Sequence, residues 1–579
     1  MKFGVLALDY DGTIARDDVL SPDVKGAIAE ARAHGIVVII ATGRLLPDLR
    51  SGAGDLNFVD AIVAENGAVI AFPNGQTRLV GHLPPQIFFD ELRRRGVKFR
   101  SGQCVVEADA SAAATILATI RDLELPLVIL FNRSRLMVLP QAISKGTGLR
   151  HALNILRLSP HNAIAIGDAE NDHDLLAECE LAAAVGWGSA RLQVEADEVV
   201  KGDGPSAVAA YIRRAITETR LPPQRLGRHR LTLGTELDGR PLTLAISGRN
   251  VLIVGESQSG KSWIAGIVCE QMIVQGYSLC VIDPEGDYGG LEALPGVVVL
   301  RAADRPPEIT DVARALQHFD LSVVVDLSCV HLQEKIEYLK AVLPMLASVR
   351  RTTGLPHRIV VDEAHYFLHE PNIKQLLDME LGAYTIVTYR PSDLHPDLLQ
   401  AIDVVVAKRL TNVHEVETLL AMVKNRNVEA RSGAILSELP IDEAVAAEAE
   451  GQLRRFRLLP RLTTHIRHRA KYFDFDVVGG QEFVFTENGK PIGSPARSLK
   501  QFAALLQGYS ASSIGEHARR ADFSRWIANV FYDHRLASDI RKIEQRYRLN
   551  HLGDVRQPIA ALILARYGGP ANGQLGSAR

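Results

Sequence analysis

The sequence alternates short apolar segments, each ending in a turn or acidic residue, with longer segments of helical periodicity. The first series contains FGVLALDYDG, GIVVIIATGR, AIVAENG and NAIAIGDAEND, and the second contains NVLIVGES, SLCVIDPEG, LSVVVDLS, RIVVDEAH and AYTIVTYRPS. Buried parallel strands joined by crossover helices have this pattern, because helices cover both faces of their sheet. The sequence therefore predicts an α/β fold with two doubly wound parallel-sheet domains.

The length indicates further folding units. The chain has 579 residues, of which 47% are hydrophobic, and a single core stops growing beyond about 250 to 300 residues. The segment with helix PPQIFFDELRRRG, one strand in VKFRSGQCVVEAD and helix SAAATILATIRDL predicts a small α+β insertion in the first series. We predict a first core over residues 1–74 and 141–217, a cap over 75–140, a linker over 218–230, a second α/β domain over 231–460 and a small α+β module over 465–579.

Charge is unevenly distributed along the chain. The net charge is −3, but residues 453–579 contain 21 basic and 10 acidic residues, so any surface for nucleic acid is expected there. Phe523, Trp526 and Val530 recur at helical spacing in this segment. That spacing favours a small hydrophobic core over a stacking surface for nucleic acid.

Cysteine usage and the N-terminus indicate a compartment. The five cysteines are irregularly spaced and form no CxxC pair, as expected for buried thiols in a reducing environment. The first residues have no signal-peptide pattern, and no run of eighteen apolar residues occurs. The sequence therefore predicts a cytoplasmic protein without a membrane span.

Two aspartates follow the first predicted strand directly. DYDGT places Asp9 and Asp11 two residues apart, and another strand ends at Asp168 in GDAEND. Two carboxylates about 4 Å apart repel by roughly 4 kcal/mol at an effective dielectric near 20, so the arrangement needs a cation. Mg²⁺ prefers carboxylate oxygens. We predict a Mg²⁺ site formed by Asp9, Asp11 and Asp168, with Asp9 as nucleophile toward phosphorus and Asp11 as general acid and base.

A bound phosphate also needs a hydroxyl, backbone amides and a fixed cation. Thr42 and Gly43 in ATGR, and Lys145 in SKGTGL, stand at strand or helix ends that suit these roles. Each motif taken alone is also compatible with a helix cap or a solvated charge. Their occurrence in one ordered set favours a catalytic site.

DYDGT, ATGR, KGTGL and GDAENDHDLL, in this order, resemble the four motifs of the haloacid dehalogenase superfamily of phosphatases. They resemble more narrowly its Cof-like branch, in which a cap follows the second motif. The resemblance implies a Rossmann-like core, a metal ligand at Asp172 and a phosphate-side neighbour at Asn171. It also implies a small phosphomonoester substrate, such as a sugar phosphate or phosphoglycolate.

One segment of this first domain departs from that branch, and two cap arginines are candidate substrate contacts. GWGSA at residues 186–190 stands where the branch usually has a Gly-Asn-Ala segment. In the cap, Arg133 and Arg135 are candidates for contacts with the distal end of the substrate. Exposed arginines usually bind nothing specific, so this pair remains an open alternative.

GESQSGKS, residues 255–262, follows the strand NVLIVG and precedes the helical pattern SWIAGIVCEQMIVQG. This is the context of the GxxxxGK[ST] loop, whose amides, lysine and hydroxyl hold nucleotide phosphates and Mg²⁺. RIVVDEAH adds Asp362 for the water shell of the metal and Glu363 to polarise the attacking water. These motifs predict an ATPase that binds nucleotide through Gly255, Glu256, Ser257, Gln258, Ser259, Gly260, Lys261 and Ser262, with Mg²⁺ at Ser262 and Asp362.

With DPEGDY and TIVTYRPSDL, these motifs resemble the HerA and FtsK group of hexameric ATPases over residues 225–460. The resemblance implies a RecA-like P-loop fold, a homo-hexameric ring and an arginine finger, for which Arg390 and Arg409 are candidates. The group usually has a glutamine where this chain has Tyr389, so Thr388 or Tyr389 must take its role. LTLGTELDGRPLTLAI is also much shorter than the N-terminal barrel of full HerA translocases.

Three functions are consistent with these motifs. The first is a bifunctional hydrolase, in which a Mg²⁺-dependent phosphomonoesterase is joined to an ATPase that couples assembly or conformational state to phosphatase output. The second is an ATP-driven motor on DNA with an accessory phosphatase. The third is a nucleotide-sensing scaffold that hydrolyses ATP slowly. Stimulation of ATP hydrolysis by duplex DNA would separate the motor from the other two.

Overall fold

A computed structural model gives the fold of the chain. It describes residues 2–16, 19–54, 56–132, 135–218, 228–256, 259–301, 305–369, 371–422, 429–448, 453–463, 473, 477, 481–487, 489–531 and 534–567. These residues divide into two compact units, 2–284 with 288–463, and 473–567 with 285–287. The first unit contains two α/β regions, called here the N-terminal region (residues 2–218) and the central region (residues 228–463).

The N-terminal region alternates strands with helices. Its strands are β1 (Val5–Asp9), β2 (Ala15–Arg16), β3 (Val19–Leu20), β4 (Val37–Ala41), β5 (Ala61–Ala64), β6 (Val69–Ala71), β7 (Thr77–Leu79), β8 (Phe99–Ser101), β9 (Val106–Asp109), β10 (Leu127–Asn132), β11 (Arg135–Pro140), β12 (Ala163–Gly167), β13 (Leu181–Val185) and β14 (Glu198–Val200). Its helices are α1 (Pro22–Ala33), α2 (Leu46–Ala53), α3 (Gln86–Arg94), α4 (Ala113–Asp122), α5 (Lys145–Leu156), α6 (His173–Glu178), α7 (Ala190–Glu195) and α8 (Gly204–Thr217).

The main sheet of this region has the strand order β14-β13-β12-β1-β4-β5-β6-β7. β1 pairs in parallel with β12 and β4, which aligns Leu8 with Ile166 and Asp9 with Ala41. Successive residues of β1 pack into two different clusters, one on each face, so the strand is a continuous apolar run. The ends of β1, β4 and β12 therefore meet at one edge of the sheet.

The cap is a separate antiparallel sheet of order β10-β11-β9-β8, and α3 and α4 pack against it. The prediction of one strand across VKFRSGQCVVEAD was wrong. The structure has two strands there, β8 and β9, and Gly102 N donates to Val105 O at 2.9 Å to close the turn between them. Ser101-Gly102 is a turn-forming pair inside an otherwise strand-like sequence, and this pair divides the segment into two strands.

The central region also alternates strands with helices. Its strands are β15 (Arg230–Glu236), β16 (Pro241–Ala245), β17 (Val251–Val254), β18 (Leu279–Asp283), β19 (Val297–Arg301), β20 (Ser322–Asp326), β21 (Arg358–Val361), β22 (Tyr384–Thr388), β23 (Val404–Ala407), β24 (Glu443–Glu448) and β25 (Arg454–Leu458). Its helices are α9 (Lys261–Val274), α10 (Ile309–Ala315), α11 (Leu332–Thr353), α12 (Ile373–Leu376), α13 (Pro396–Gln400), α14 (Val413–Met422) and α15 (Glu429–Ser437).

The central sheet has the order β16-β15-β25-β24-β23-β17-β22-β21-β18-β20-β19. The strands from β23 to β19 are parallel, which confirms the predicted α/β class. The other four strands extend the sheet in antiparallel fashion, because the β15–β16 hairpin pairs with β25. β22 lies between β17 and β21, so the segment TIVTYRPS separates the GESQSGKS loop from Asp362.

The two regions of the first unit contact each other through buried polar groups. Glu180 is 0% exposed, and its Oε2 accepts hydrogen bonds from His161 Nδ1 and the Tyr277 hydroxyl, both at 2.8 Å. The Ser247 hydroxyl donates to its other oxygen. The His161 ring stacks on Tyr277 with ring centroids 3.6 Å apart. A carboxylate of the N-terminal region is thus enclosed partly by the central region.

The second unit has its own core. Its elements are β26 (Thr486–Glu487), β27 (Lys490–Pro491), α16 (Leu499–Gly508), α17 (Ala511–Arg520), α18 (Asp522–Val530), α19 (His534–Arg548) and α20 (Arg556–Tyr567). Phe523, Trp526 and Val530 are buried there with Phe483 and Phe502, which confirms the predicted hydrophobic core. Across the part of the chain that the structure describes, we find no helix with the length and apolar character to cross a membrane.

Candidate active sites

Asp9 ends β1 with its carboxylate buried. Its Oδ1 accepts a hydrogen bond from Lys145 Nζ at 2.6 Å, whereas Oδ2 is buried without a hydrogen-bond partner among the described residues. Burial and the charges of Asp172 and Asp168 raise the pKa of Asp9 well above its usual range, against the opposing charge of Lys145. A buried carboxylate oxygen without a protein partner is expected where a cation or a reacting group binds.

Lys145 begins α5 and lies between two carboxylates. Its Nζ donates to Asp9 and, at 2.7 Å, to Asp172 Oδ1. Burial disfavours the ammonium, but the charges of Asp172 and Asp9 outweigh it, so the pKa of Lys145 is raised. Asp172 Oδ2 accepts hydrogen bonds from the amides of Asp168 and Ala169 at 3.0 Å each. Asp172 therefore orients both Lys145 and the loop after β12.

Asp9, Asp168 and Asp172 are buried and offer carboxylate oxygens within 4.8 Å of one another. The donors are all carboxylate oxygens, and one ammonium does not neutralise three carboxylates. This set fits Mg²⁺, which binds hard oxygen ligands. Gly12 permits the close approach of Asp168, since its φ is +83° and a Cβ there would lie 2.2 Å from Asp168 Oδ2.

The Asp11 carboxylate lies outside this group of three within the described residues. Arg44 instead binds it in a bidentate manner, with Nε 2.8 Å from Oδ2 and Nη2 2.5 Å from Oδ1. The predicted metal contact of the Asp11 side chain is therefore not seen, because a guanidinium occupies both oxygens. Arg44 also lies 5.1 Å from the centroid of the Tyr10 ring. Sequence reasoning missed Arg44, although it ends the ATGR motif.

Thr42 and Trp187 support the loops around these carboxylates. Thr42 is fully buried, and its Oγ1 accepts a hydrogen bond from the Arg44 amide at 3.1 Å. The Trp187 indole donates to the Gly12 carbonyl at 2.8 Å. The unusual GWGSA segment thus contacts the loop that carries Asp11.

A cavity of about 550 Å³ opens at this edge of the sheet, between the core and the cap. The core contributes Asp9, Asp11, Lys145 and Asp168 to its lining, and the predicted phosphate-binding residues Gly43 and Asn171. The cap contributes Arg100, Glu107, Arg135 and Met137. The structure therefore brings the predicted site residues of this region to one cavity or its immediate support. Arg133, the other predicted cap arginine, lies outside the described residues.

The GESQSGKS loop joins β17 to α9. Gly260 has φ +100°, and α9 begins at Lys261, whose Nζ donates to the Glu256 carbonyl at 3.1 Å. Ser259 is 5% exposed, and its hydroxyl is buried without a hydrogen-bond partner among the described residues. Ser262 lies in the first turn of α9. The predicted nucleotide-binding residues Ser257 and Gln258 lie outside the described residues.

The acidic pair of the central region follows β21. Asp362 is 2% exposed, and its Oδ1 accepts a hydrogen bond from the Glu363 amide at 2.8 Å. Glu363 has φ +46°, a left-handed conformation that non-glycine residues rarely adopt. His365 Nδ1 lies 3.6 Å from Glu363 Oε2 and 3.2 Å from Thr388 Oγ1. His365 therefore links the predicted catalytic glutamate to the end of β22, a supporting position that fits the interpretation of His365 as a packing or supporting residue.

Tyr389 and the two predicted finger arginines lie near the same loop. The centroid of the Tyr389 ring is 5.7 Å from Lys261 Nζ and 5.1 Å from the Arg390 guanidinium carbon. Arg409 Nε lies 3.6 Å from Glu256 Oε2. The side chains of Arg390 and Arg409 are 56% and 47% exposed. Their assignment as fingers stays a prediction.

The folds and sites define a chain in which a capped Rossmann-like region with a carboxylate cluster precedes a P-loop region. Residues 6–94 and 97–212 match the family model of haloacid dehalogenase-like hydrolases. Residues 233–370 match the model described as Helicase HerA, central domain. The chain is therefore a fusion of a haloacid dehalogenase-like hydrolase region with a HerA-type central domain, which confirms both predicted resemblances.

Known proteins similar to this chain match its N-terminal region. A phosphoglycolate phosphatase from Methanopyrus kandleri is 28% identical over 224 residues, which are 36% of this chain and 96% of the relative. A phosphoglycolate phosphatase from Methanosarcina acetivorans is 26% identical over 217 residues, 35% of this chain and 94% of the relative. A crystal structure of a haloacid dehalogenase-like hydrolase from Bacteroides thetaiotaomicron aligns with 18% identity and a TM-score of 0.33 over 37% of this chain and 99% of that chain.

Proposed function

We propose that the N-terminal region, with the predicted core (1–74 and 141–217) and cap (75–140), hydrolyses a small phosphomonoester through Asp9. The observation that carries the proposal is the buried Asp9 carboxylate. One of its oxygens has no hydrogen-bond partner among the described residues, and Asp9 lines the cavity beside Lys145. A carboxylate in this setting is suited to attack phosphorus while a fixed ammonium compensates the charge.

The reaction would proceed in two steps. Asp9 bonds to phosphorus and the ester P–O bond breaks, while Asp11, which must first exchange the Arg44 guanidinium for a proton taken up from solvent, gives that proton to the leaving alcohol. Water then attacks the aspartyl phosphate and transfers a proton to Asp11, which releases phosphate and restores Asp9. Lys145, the Gly43 amide and Asn171 would hold phosphate oxygens, and Arg44 would orient Asp11. Mg²⁺ bound by Asp9, Asp168 and Asp172 would neutralise charge between the phosphate and the attacking carboxylate.

The cap side of the cavity supports a small, polar leaving group. Arg100 and Arg135 flank Glu107, with Arg135 Nη1 2.8 Å and Arg100 Nη1 3.7 Å from its carboxylate oxygens. Guanidinium groups suit a substrate carboxylate, as in phosphoglycolate, the substrate named for the relatives. Glu107 would instead accept hydrogen bonds from sugar hydroxyls. The phosphomonoester panel that tests this proposal should therefore contain both phosphoglycolate and sugar phosphates.

For the central region we propose ATP binding and hydrolysis, with Mg²⁺, in a homo-hexameric ring. Lys261 at the start of α9, and Asp362 with Glu363 after β21, support this proposal. Lys261 would hold terminal phosphates, Ser262 and Asp362 the metal shell, and Glu363 the attacking water. Coupling of this hydrolysis to the N-terminal site would make the chain a bifunctional hydrolase.

A motor on DNA is the second candidate, and the match to the HerA central domain favours it. Adding duplex DNA to the ATPase assay tests it. Stimulation of at least about ten-fold would support a motor. An unchanged rate would favour the bifunctional hydrolase, or a scaffold if single-turnover hydrolysis is also slow.

Phosphate release from a panel of phosphomonoesters and ATP tests both proposed activities. Asp9→Asn is expected to abolish monoester hydrolysis and to leave ATP hydrolysis within about two-fold, since removal of a nucleophile usually costs several orders of magnitude. Lys261→Ala is expected to do the reverse. Monoester turnover by Asp9→Asn at the wild-type rate would refute the assignment of the N-terminal site.

A further inference from the structure

Three residues after β5 have an unusual backbone. Glu65, Asn66 and Gly67 have consecutive φ values of 53°, 54° and 103°. Glu65 is 0% exposed and Asn66 is 2% exposed. Left-handed conformations are strained for residues with a Cβ, and they persist where the surrounding contacts hold them in place. The contacts that hold residues 65–67 in this conformation therefore indicate the role of the segment.

The Glu65 carboxylate binds the tip of the cap hairpin formed by β8 and β9. Its Oε1 accepts a hydrogen bond from the Gln103 amide at 3.0 Å, and its Oε2 accepts one from the Cys104 amide at 2.9 Å. Gly102 makes room for this contact, because a Cβ there would lie 2.5 Å from the carboxylate. Both oxygens of a buried carboxylate from the core are thus used to hold the backbone of the cap.

The same hairpin carries two cap residues of the cavity. Arg100 and Glu107 are paired directly across β8 and β9, and both line the cavity. Arg100 Nη2 also lies 2.6 Å from both carboxylate oxygens of Asp48 in α2. The position of the hairpin tip therefore affects which groups face the distal end of a bound ester.

The other side of the segment contacts the loops that support the phosphate pocket. The Glu65 amide donates to the Arg44 carbonyl and the Asn66 amide to the Thr42 carbonyl, both at 3.0 Å. A Cβ on Gly67 would lie 1.9 Å from the Ser144 carbonyl, next to Lys145. One rigid segment thus contacts the cap tip, the ATGR loop and the start of α5.

We propose that Glu65 is a positioning residue for substrate selection: its carboxylate fixes the β8–β9 hairpin, and with it Arg100 and Glu107, over the phosphate pocket. This proposal rests on the proposed phosphatase function. Esters whose leaving group reaches Arg100 or Glu107 then depend on Glu65. Esters whose leaving group has no carboxylate or aliphatic hydroxyl do not depend on Glu65.

Kinetics of Glu65→Gln test this dependence. Gln keeps the size but places a donor NH₂ against one of the two backbone amides. We expect kcat/KM for 2-phosphoglycolate to fall about ten-fold or more, mainly through KM, because a buried donor loses its acceptor. Turnover of p-nitrophenyl phosphate should change less than about three-fold. Its leaving group has no carboxylate or aliphatic hydroxyl for Arg100 or Glu107 to bind, so its turnover does not depend on the position of the hairpin. Equal loss for both esters, or no loss for either, would overturn the proposal.

Alkylation of Cys104 gives a readout that needs no turnover. Cys104 is 0% exposed at the hairpin tip, and burial together with the Glu65 charge raises the pKa of its thiol to about 11. Glu65→Gln should increase its iodoacetamide labelling about ten-fold, both by loosening the tip and by removing a charge that disfavours the thiolate, relative to the exposed Cys329 as internal standard. If the wild type hydrolyses no phosphomonoester of the panel, the phosphatase proposal fails, and labelling of Gly102→Ala, which keeps the Glu65 charge, still decides whether the Glu65 contact holds the hairpin.

Two further variants separate this role from general destabilisation. Gly102→Ala places a Cβ 2.5 Å from the Glu65 carboxylate and displaces it from the hairpin side. This variant should therefore lower kcat/KM for 2-phosphoglycolate and increase Cys104 labelling, as Glu65→Gln does. Glu124→Gln is the matched control, because Glu124 also has a positive φ, 50°, but is exposed in the cap. Glu124→Gln should match the wild type in both assays. If Gly102→Ala also matched the wild type, the proposal would be refuted.

Discussion

The Tyr277 hydroxyl donates a hydrogen bond at 2.8 Å to the carboxylate of Glu180, although 97 positions separate the two residues. Glu180 precedes β13 of the N-terminal region, and Tyr277 precedes β18 of the central region. Burial alone would raise the pKa of Glu180, but the hydrogen bond from His161 and the charge of His229 outweigh it, so the pKa is lowered. A charged carboxylate therefore joins the two regions.

Glu180→Gln is expected to lower the free energy of unfolding by about 2 to 3 kcal/mol at pH 7, because the amide NH₂ would face the donors of His161, Tyr277 or Ser247. The folded pKa of Glu180 lies below the unfolded value, so its stabilisation is fully present above the unfolded pKa and is lost as pH falls through the folded pKa. The difference between variant and wild type should thus shrink as pH falls below the unfolded pKa of about 4.3.

Denaturant unfolding at several pH values measures this difference. Glu195→Gln is the control, because Glu195 also pairs with a histidine, His173 at 2.7 Å, but is 43% exposed. Its effect should stay below about 1 kcal/mol. Equal effects of the two variants would contradict a special role for Glu180.

Gly12→Ala should impair the carboxylate cluster. The new Cβ would lie 2.2 Å from Asp168 Oδ2 and displace it. We therefore expect Mg²⁺ affinity to fall about 100-fold and monoester turnover to fall with it, since displaced metal ligands cost 10- to 100-fold or more. Calorimetric Mg²⁺ titration measures the affinity. Gly35→Ala is matched in backbone, with φ +76°, but its Cβ would meet no atom within 4 Å. Identical Mg²⁺ affinity in the two variants would argue against the proposed site.

Trp187→Phe removes the indole donor to the Gly12 carbonyl and keeps an aromatic ring. We expect kcat/KM for the monoester to fall about ten-fold, with a loss of about 1 kcal/mol in stability, as for one hydrogen bond. Steady-state kinetics and thermal unfolding measure the two effects. Trp263→Phe removes a comparable bond, to the Leu459 carbonyl at 3.2 Å in the central region. Monoester kinetics should not respond to that change.

His365→Ala should slow ATP hydrolysis, because His365 contacts both Glu363 and Thr388. We expect kcat to fall about 10- to 100-fold, the range for a lost positioning contact, with KM for ATP within about three-fold. The exposed His414 provides the control variant His414→Ala. A rise in KM with unchanged kcat would instead assign His365 to nucleotide binding.

The sequence predicts those site residues that stand in local motifs. Asp9, Lys145 and Lys261 each end a strand or begin a helix, and the parallel sheets bring such ends together. Glu65 and Glu180 are different. The partners of Glu65 are backbone amides 38 and 39 positions away, and a partner of Glu180 is a hydroxyl in another region. Nothing in the adjacent sequence identifies such partners, since these contacts depend on how the cap and the second sheet pack.

The pairing of Asp11 with Arg44, which are 33 positions apart, shows the same limit. The spacing of Asp9 and Asp11 predicts that both carboxylates face one metal. In the structure, the loop after β1 turns Asp11 toward the arginine of the next motif. The charge pattern identifies the residue types, but the loop backbone decides which partner each carboxylate has.

α9 begins with Lys261 of the predicted nucleotide site. The residues that follow the other end of α9 contact the N-terminal region, where the Gln275 carbonyl accepts from His161 and the Tyr277 hydroxyl donates to Glu180. Cutting the chain near residue 218 would leave Glu180 and His161 in water on one fragment and would uncover Tyr277 on the other. Enzymology on separately expressed halves would then describe two damaged proteins. Point variants in the full-length chain are the appropriate way to assign each activity.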